Sequence, residues 1–196
     1  MSVSGVLDSM PEYRDRVQLV NFHSTSKGDW GECGKRGGWM TVYNPKKIRG
    51  SDLNFVDVIE EKLMSLRLCP PTDGQTMVYA MVAQPQPGDP SYERFIQEKT
   101  ENSQLVQRKA ALIDDAFRQM QGVEVHGEFN ALYRFPGMWL PEGANDYDYC
   151  SALLQSPAGI CVVPGSGFGS PGHARWATLP SEQQLKELLP LAVEWH

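Results

Sequence analysis

One glycine-rich loop, His23-Ser-Thr-Ser-Lys-Gly-Asp-Trp-Gly-Glu-Cys-Gly-Lys-Arg-Gly-Gly38, constrains this chain more than any other stretch. A strand-like run, Val17-Gln-Leu-Val-Asn-Phe22, leads into it, and a second, Trp39-Met-Thr-Val-Tyr43, leaves it. Glycines let a backbone take positive φ and approach a ligand closely. The hydroxyls of Ser24 and Ser26, the guanidinium of Arg36 and free backbone N–H groups suit a phosphate. Lys27 beside such a group is a candidate for covalent chemistry on a phosphorylated cofactor. A solvated surface turn carrying a lysine is the other reading of the same letters. A P-loop is excluded: Asp29 stands where its first glycine belongs, and Lys35 is followed by Arg36 rather than Ser or Thr.

The loop's fixed positions carry a resemblance. Ser24-Thr-Ser-Lys27, then Gly28, Gly31-Glu-Cys-Gly34, Arg36 and Gly37-Gly38, resemble the cofactor-lysine segment of the class I pyridoxal-phosphate aminotransferases. Arg36 stands one residue further from the lysine than in the general class I pattern, a feature of the alanine aminotransferase subgroup. Met64-Ser-Leu-Arg-Leu-Cys-Pro-Pro71 with Gly74-Gln75 is similar to the same subgroup, as are Ser91, Tyr92, Phe95, Glu98 and Lys99. Gly159-Ile-Cys-Val-Val-Pro-Gly-Ser-Gly-Phe-Gly169, followed by His173-Ala-Arg175 and Leu179-Pro180, resembles the surroundings of the family's substrate-carboxylate arginine. One departure is visible. The family's Gly-Ala-Met-Tyr strand reads Asn130-Ala-Leu-Tyr133 here, which puts substrate preference in question.

The resemblance implies a cofactor, pyridoxal 5'-phosphate, bound by Ser24, Ser26, Lys27 and Arg36. It implies Lys27 as the catalytic residue and Arg175 as the grip on the substrate α-carboxylate. Its substrates would be an amino acid and a 2-oxo acid, L-alanine and 2-oxoglutarate giving pyruvate and L-glutamate. The family is homodimeric at full length. The matched segments correspond to the second half of a full family member. The expected fold is therefore α/β, the C-terminal part of a fold-type I transferase: the end of the large-domain sheet plus the small C-terminal domain. Residues 1–91 would be an incomplete cofactor-binding domain. Residues 92–196 would be the interdomain helix and the small domain. An inactive fragment serving as a structural or interaction domain is the alternative.

The residues themselves bound the rest. A net charge of −6 argues against a nucleic-acid partner. A hydrophobic share of 41% can supply a core. No run is long and apolar enough to span a membrane. Cys33, Cys69, Cys150 and Cys161 lack zinc spacing and read as free thiols. No signal peptide opens the chain, so the cytoplasm is the expected compartment, with mitochondria as the alternative.

Along the chain, residues 1–16 show no period. Val17–Phe22 reads as a buried parallel strand. Residues 52–66 repeat Leu53, Val56, Ile59, Leu63 and Leu66 at helical steps, and Pro70-Pro71 stops that helix. Thr72 or Asp73 can cap a second helix to about Ala83, with Met77, Val78 and Met81 on one side. Gln84-Pro-Gln-Pro-Gly-Asp-Pro90 is a linker. A long helix follows from Ser91 to Gln121. Strands are then expected at Val123–His126, Ala131–Phe135, Gly159–Val163 and His173–Thr178, with helices at 146–155 and from Ser181. Pro190 should kink or divide the last helix.

Overall fold

The structure is a computed structural model that describes residues 2–27, 33–66, 69, 71–127 and 132–196. Gly28, Gly31 and Glu32 of the loop, Pro70, and the Asn130-Ala131 departure lie outside the described residues. The chain forms two compact units, 1–85 and 86–196, with the division inside the proline-rich linker. No helix of the described residues is long and apolar enough to cross a membrane.

In the first unit two short helices, α1 (Val3–Asp8) and α2 (Pro11–Arg14), occupy the stretch where no period was visible. Local chemistry starts them: the Ser2 side chain accepts from the Gly5 N–H, and Pro11 stands in the first turn of α2. β1 (Leu19–Ser24) and β2 (Gly38–Tyr43) then pair from Leu19↔Tyr43 to Ser24↔Gly38. They pair antiparallel, which corrects the expected parallel strand. A parallel partner would need a crossover, usually helical. Here the chain turns straight back, through a 3-10 turn at Cys33–Lys35. Nor is β1 buried: Phe22 is 77% exposed.

α3 (Phe55–Leu66) and α4 (Thr72–Val82) complete the unit. Pro71, not Thr72 or Asp73, is the N-cap of α4, and no side chain caps it. The stripe Met77, Val78 and Met81 is half-buried, and Gly74 is buried at the start of the helix.

The second unit holds the hydrophobic core. α5 (Tyr92–Phe117) runs 26 residues, about 39 Å at ~1.5 Å per residue. Only its C-terminal end is buried, through Ala110, Ile113, Ala116 and Phe117. β3 (Val123–Glu124), β4 (Tyr133–Arg134) and β5 (Gly137–Met138) follow, then α6 (Asp146–Gln155), β6 (Val163–Pro164), β7 (Ala174–Ala177) and α7 (Glu182–Trp195). β3 pairs with β5, and β4-β7-β6 form a second antiparallel sheet. β5 falls where no strand was expected, and Gly159–Val162 is not strand. The Phe117 ring meets Trp176 edge-on at 5.2 Å, joining α5 to β7. Asp114 of α5 accepts two hydrogen bonds from Arg134 of β4, at 2.6 and 2.8 Å, within a nearly buried ion pair.

α7 opens with a reciprocal capping box between Ser181 and Gln184. Pro190 does not divide it. Leu185, Leu189 and Ala192 are buried on either side of the proline, and that packing offsets the hydrogen bond it forfeits. At the far end His196 bridges Tyr149 Oη and the Gln121 carbonyl, each at 2.8 Å. The carbonyl can only accept, so Nε2 donates to it, and a neutral ring then accepts at Nδ1 from the tyrosine O–H. Burial pushes the Tyr149 hydroxyl up to about 12. Burial, then the nearby Asp146 and Cys161, push the Cys150 thiol up to about 11.

Candidate active site

The lysine loop is built on the β1–β2 hairpin, and its anchor is Thr25. This side chain is fully buried between the exposed Ser24 and the half-buried Ser26. Its backbone N–H donates to the Gly37 carbonyl at 3.1 Å, and its hydroxyl donates to the same carbonyl at 3.0 Å. The Gly37 N–H returns a bond to the hydroxyl at 3.3 Å. Three hydrogen bonds thus join the residue two before Lys27 to the residue after Arg36. Both ends of the loop are fixed there, whatever lies between.

Gly37 is required at this closure. A Cβ on it would stand 2.8 Å from the Gly74 carbonyl oxygen and 3.2 Å from the Thr25 methyl. The first turn of α4 therefore seats directly against the loop's returning arm. Lys35 adds an exposed ion pair to Asp73 at 3.5 Å, a solvent-screened contact worth little by itself. Arg36, between Lys35 and Gly37, takes φ 51°, a left-handed conformation that is uncommon for a side-chain-bearing residue. Such strain is tolerated where neighbours fix the backbone.

Ser24 ends β1, and its Oγ accepts from the Ser26 N–H at 3.1 Å. Lys27 follows this turn and is exposed, as is Arg36. His23 stacks on Trp39 across the hairpin, with centroids 4.7 Å apart. The hairpin thus gathers an amine, two hydroxyls and a guanidinium onto a loop closed by Thr25. That donor set fits the phosphate and aldehyde of pyridoxal phosphate: the hydroxyls and guanidinium suit the first, the amine the second.

Arg175 belongs to the second unit. It lies in β7, half-buried, opposite Val163 in the register. Its guanidinium carbon stands 4.6 Å from the Tyr133 ring centre and 4.7 Å from that of Phe168. It is thus not the strand-end surface charge that its position alone would suggest. Among the described residues no carboxylate pairs with it, in contrast to Arg134 on the neighbouring strand.

Sequence reasoning passed over Thr25 and Phe168. Thr25 carried no periodic signal: it lies in the turn after β1, and its role is a contact with Gly37 on the returning arm. Phe168 had none either, because its role depends on a contact between a turn and a strand.

No family model matches this sequence. Alanine aminotransferase 2 of Xenopus laevis is 39% identical over 95% of the chain. The chain spans only 35% of that relative's length. Among solved structures, an alanine aminotransferase from Pyrococcus furiosus superposes with TM-score 0.70 at 23% identity, over 91% of this chain and 42% of that one. A PLP-dependent aminotransferase from Streptococcus suis gives 0.61 at 19% identity, over 92% and 42%. The mixed α/β fold is therefore shared with about two fifths of each of these solved structures, and the sequence is similar to part of the alanine aminotransferases.

Proposed function

We propose that this chain is the lysine- and arginine-bearing part of a pyridoxal-phosphate-dependent aminotransferase that exchanges an amino group between L-alanine and 2-oxoglutarate. The observation that carries this reading is the Thr25-closed hairpin, which holds Ser24, Ser26, Lys27 and Arg36 on one loop. When bound, pyridoxal phosphate supplies an aldehyde that takes the amino group and a ring that accepts electrons from the substrate's Cα.

The chain's residues divide the remaining work. The hydroxyls of Ser24 and Ser26 and the Arg36 guanidinium would hold the phosphate. Lys27 Nζ would hold the cofactor through its aldehyde and would move a proton to and from the substrate's Cα. Arg175 binds the α-carboxylate through its planar fork, which a lysine cannot reproduce. The complete enzyme is read as a homodimer of the cytoplasm.

A second reading is favoured by one observation. Among the described residues of the first unit no hydrophobic side chain is buried. That exposed surface supports the reading of an inactive fragment that serves as a structural or interaction domain.

Borohydride treatment of the chain mixed with pyridoxal phosphate, then peptide mapping, separates the two. The label is expected on Lys27 and absent in Lys27→Ala. Equal labelling of Lys46 and Lys109 would remove the catalytic reading.

A further inference from the structure

Two arginines stand on the adjacent strands β4 and β7, and their surroundings differ. The Arg134 guanidinium is sealed by the Asp114 carboxylate. Arg175 has two aromatic rings instead. A ring attracts a guanidinium through its π face, whereas carboxylates bind the N–H groups in the guanidinium plane. Rings therefore fix an arginine without consuming the donors that a ligand needs.

Tyr133 is placed by β4, which pairs it with Ala177. Phe168 has no strand to hold it. It ends the 3-10 turn Gly165–Phe168, closed by Gly169 in the left-handed region. Asp146, the first residue of α6 and 2% exposed, accepts the Ser166 N–H of this turn at 2.6 Å. Gly165 seats the turn's other side: a Cβ there would lie 2.2 Å from the Ser170 carbonyl oxygen. The Phe168 ring meets Phe135 edge-on at 5.9 Å, and Phe135 stacks on His173 at 5.0 Å.

We infer that Phe168 is a positioning residue for Arg175, and that Asp146 holds the turn that places it. The two set the direction in which the Arg175 fork meets a substrate carboxylate. This rests on the reading of Arg175 as the carboxylate grip, but the positioning itself is measurable without it.

The test is the order and solvent exchange of the Arg175 Nε–H in the ¹⁵N-labelled chain, followed by titration with 2-oxoglutarate. Phe168 is half exposed, so Phe168→Leu spares the core. It should loosen the Arg175 Nε–H, speed its exchange severalfold and weaken 2-oxoglutarate binding by a similar factor. Phe168→Tyr keeps a ring and should restore all three. Asp146→Asn keeps an acceptor for the Ser166 N–H and should lie between, and the Trp176 indole signal reports that the core is intact. An Arg175 Nε–H as ordered in Phe168→Leu as in the parent would overturn the inference. An ordered Arg175 that ignores 2-oxoglutarate in the assembled enzyme would instead sink the functional reading.

Discussion

Thr25 shows what a single buried hydroxyl can do for a loop. Two of its three hydrogen bonds with Gly37 run through the hydroxyl of a side chain that is itself fully buried. Thr25→Val keeps the shape and leaves the Gly37 N–H short of an acceptor, at a cost of about 1–3 kcal/mol. The Gly37 amide should then exchange markedly faster with solvent, and full protection in the variant would refute the closure role. Arg175→Lys probes the second unit. The charge survives but the planar fork is lost. If Arg175 grips the substrate, carboxylate affinity in an assembled enzyme should fall by about 2–5 kcal/mol. An unchanged KM for both amino acid and keto acid would count against that role.

At the scale of elements, periodicity and capping were legible and pairing was not. The α6 span and the Ser181 start of α7 follow from local signals that survive any tertiary context. β1 was displaced by two residues and assigned the wrong partner direction, because its apolar letters fit a buried strand in either orientation. The two-residue strands of the second unit carry too few letters for a period. Helix α6 also makes a pH prediction. Cys150 has a folded pKa raised to about 11, against about 8.5–9 in an unfolded chain. The folded state holds the proton longer, so its contribution is fully present below about pH 9. It is lost as pH rises through about 11. Melting temperature should drop over that window, less steeply in Cys150→Ala, and alkylation of Cys150 should lag behind that of exposed Cys69 and Cys161. Equal alkylation rates would show that the thiol is not held neutral.

The whole molecule is two units of unequal completeness. The second has a core of buried side chains from α5, α6, α7 and its sheet. The described residues of the first have no buried hydrophobic side chain, and leave Phe22, Leu53, Leu63, Met64, Leu66 and Tyr79 more than half exposed. A two-stranded hairpin is at best marginally stable in water without a layer to pack on. Its open edges and apolar faces are sites for association. The lysine loop sits on that hairpin, so on the reading proposed above catalysis would need Lys27 Nζ held in place by a scaffold that this surface does not supply. On the reading proposed above, the 196 residues alone should hold pyridoxal phosphate weakly through Ser24, Lys27 and Arg36. They should associate in a concentration-dependent way and turn over no alanine. Size-exclusion chromatography across a dilution series, with a coupled assay for pyruvate on each fraction, tests all of this at once. Pyruvate formed from alanine and 2-oxoglutarate by a fraction eluting as the 21.9 kDa monomer would show that this chain completes its own site.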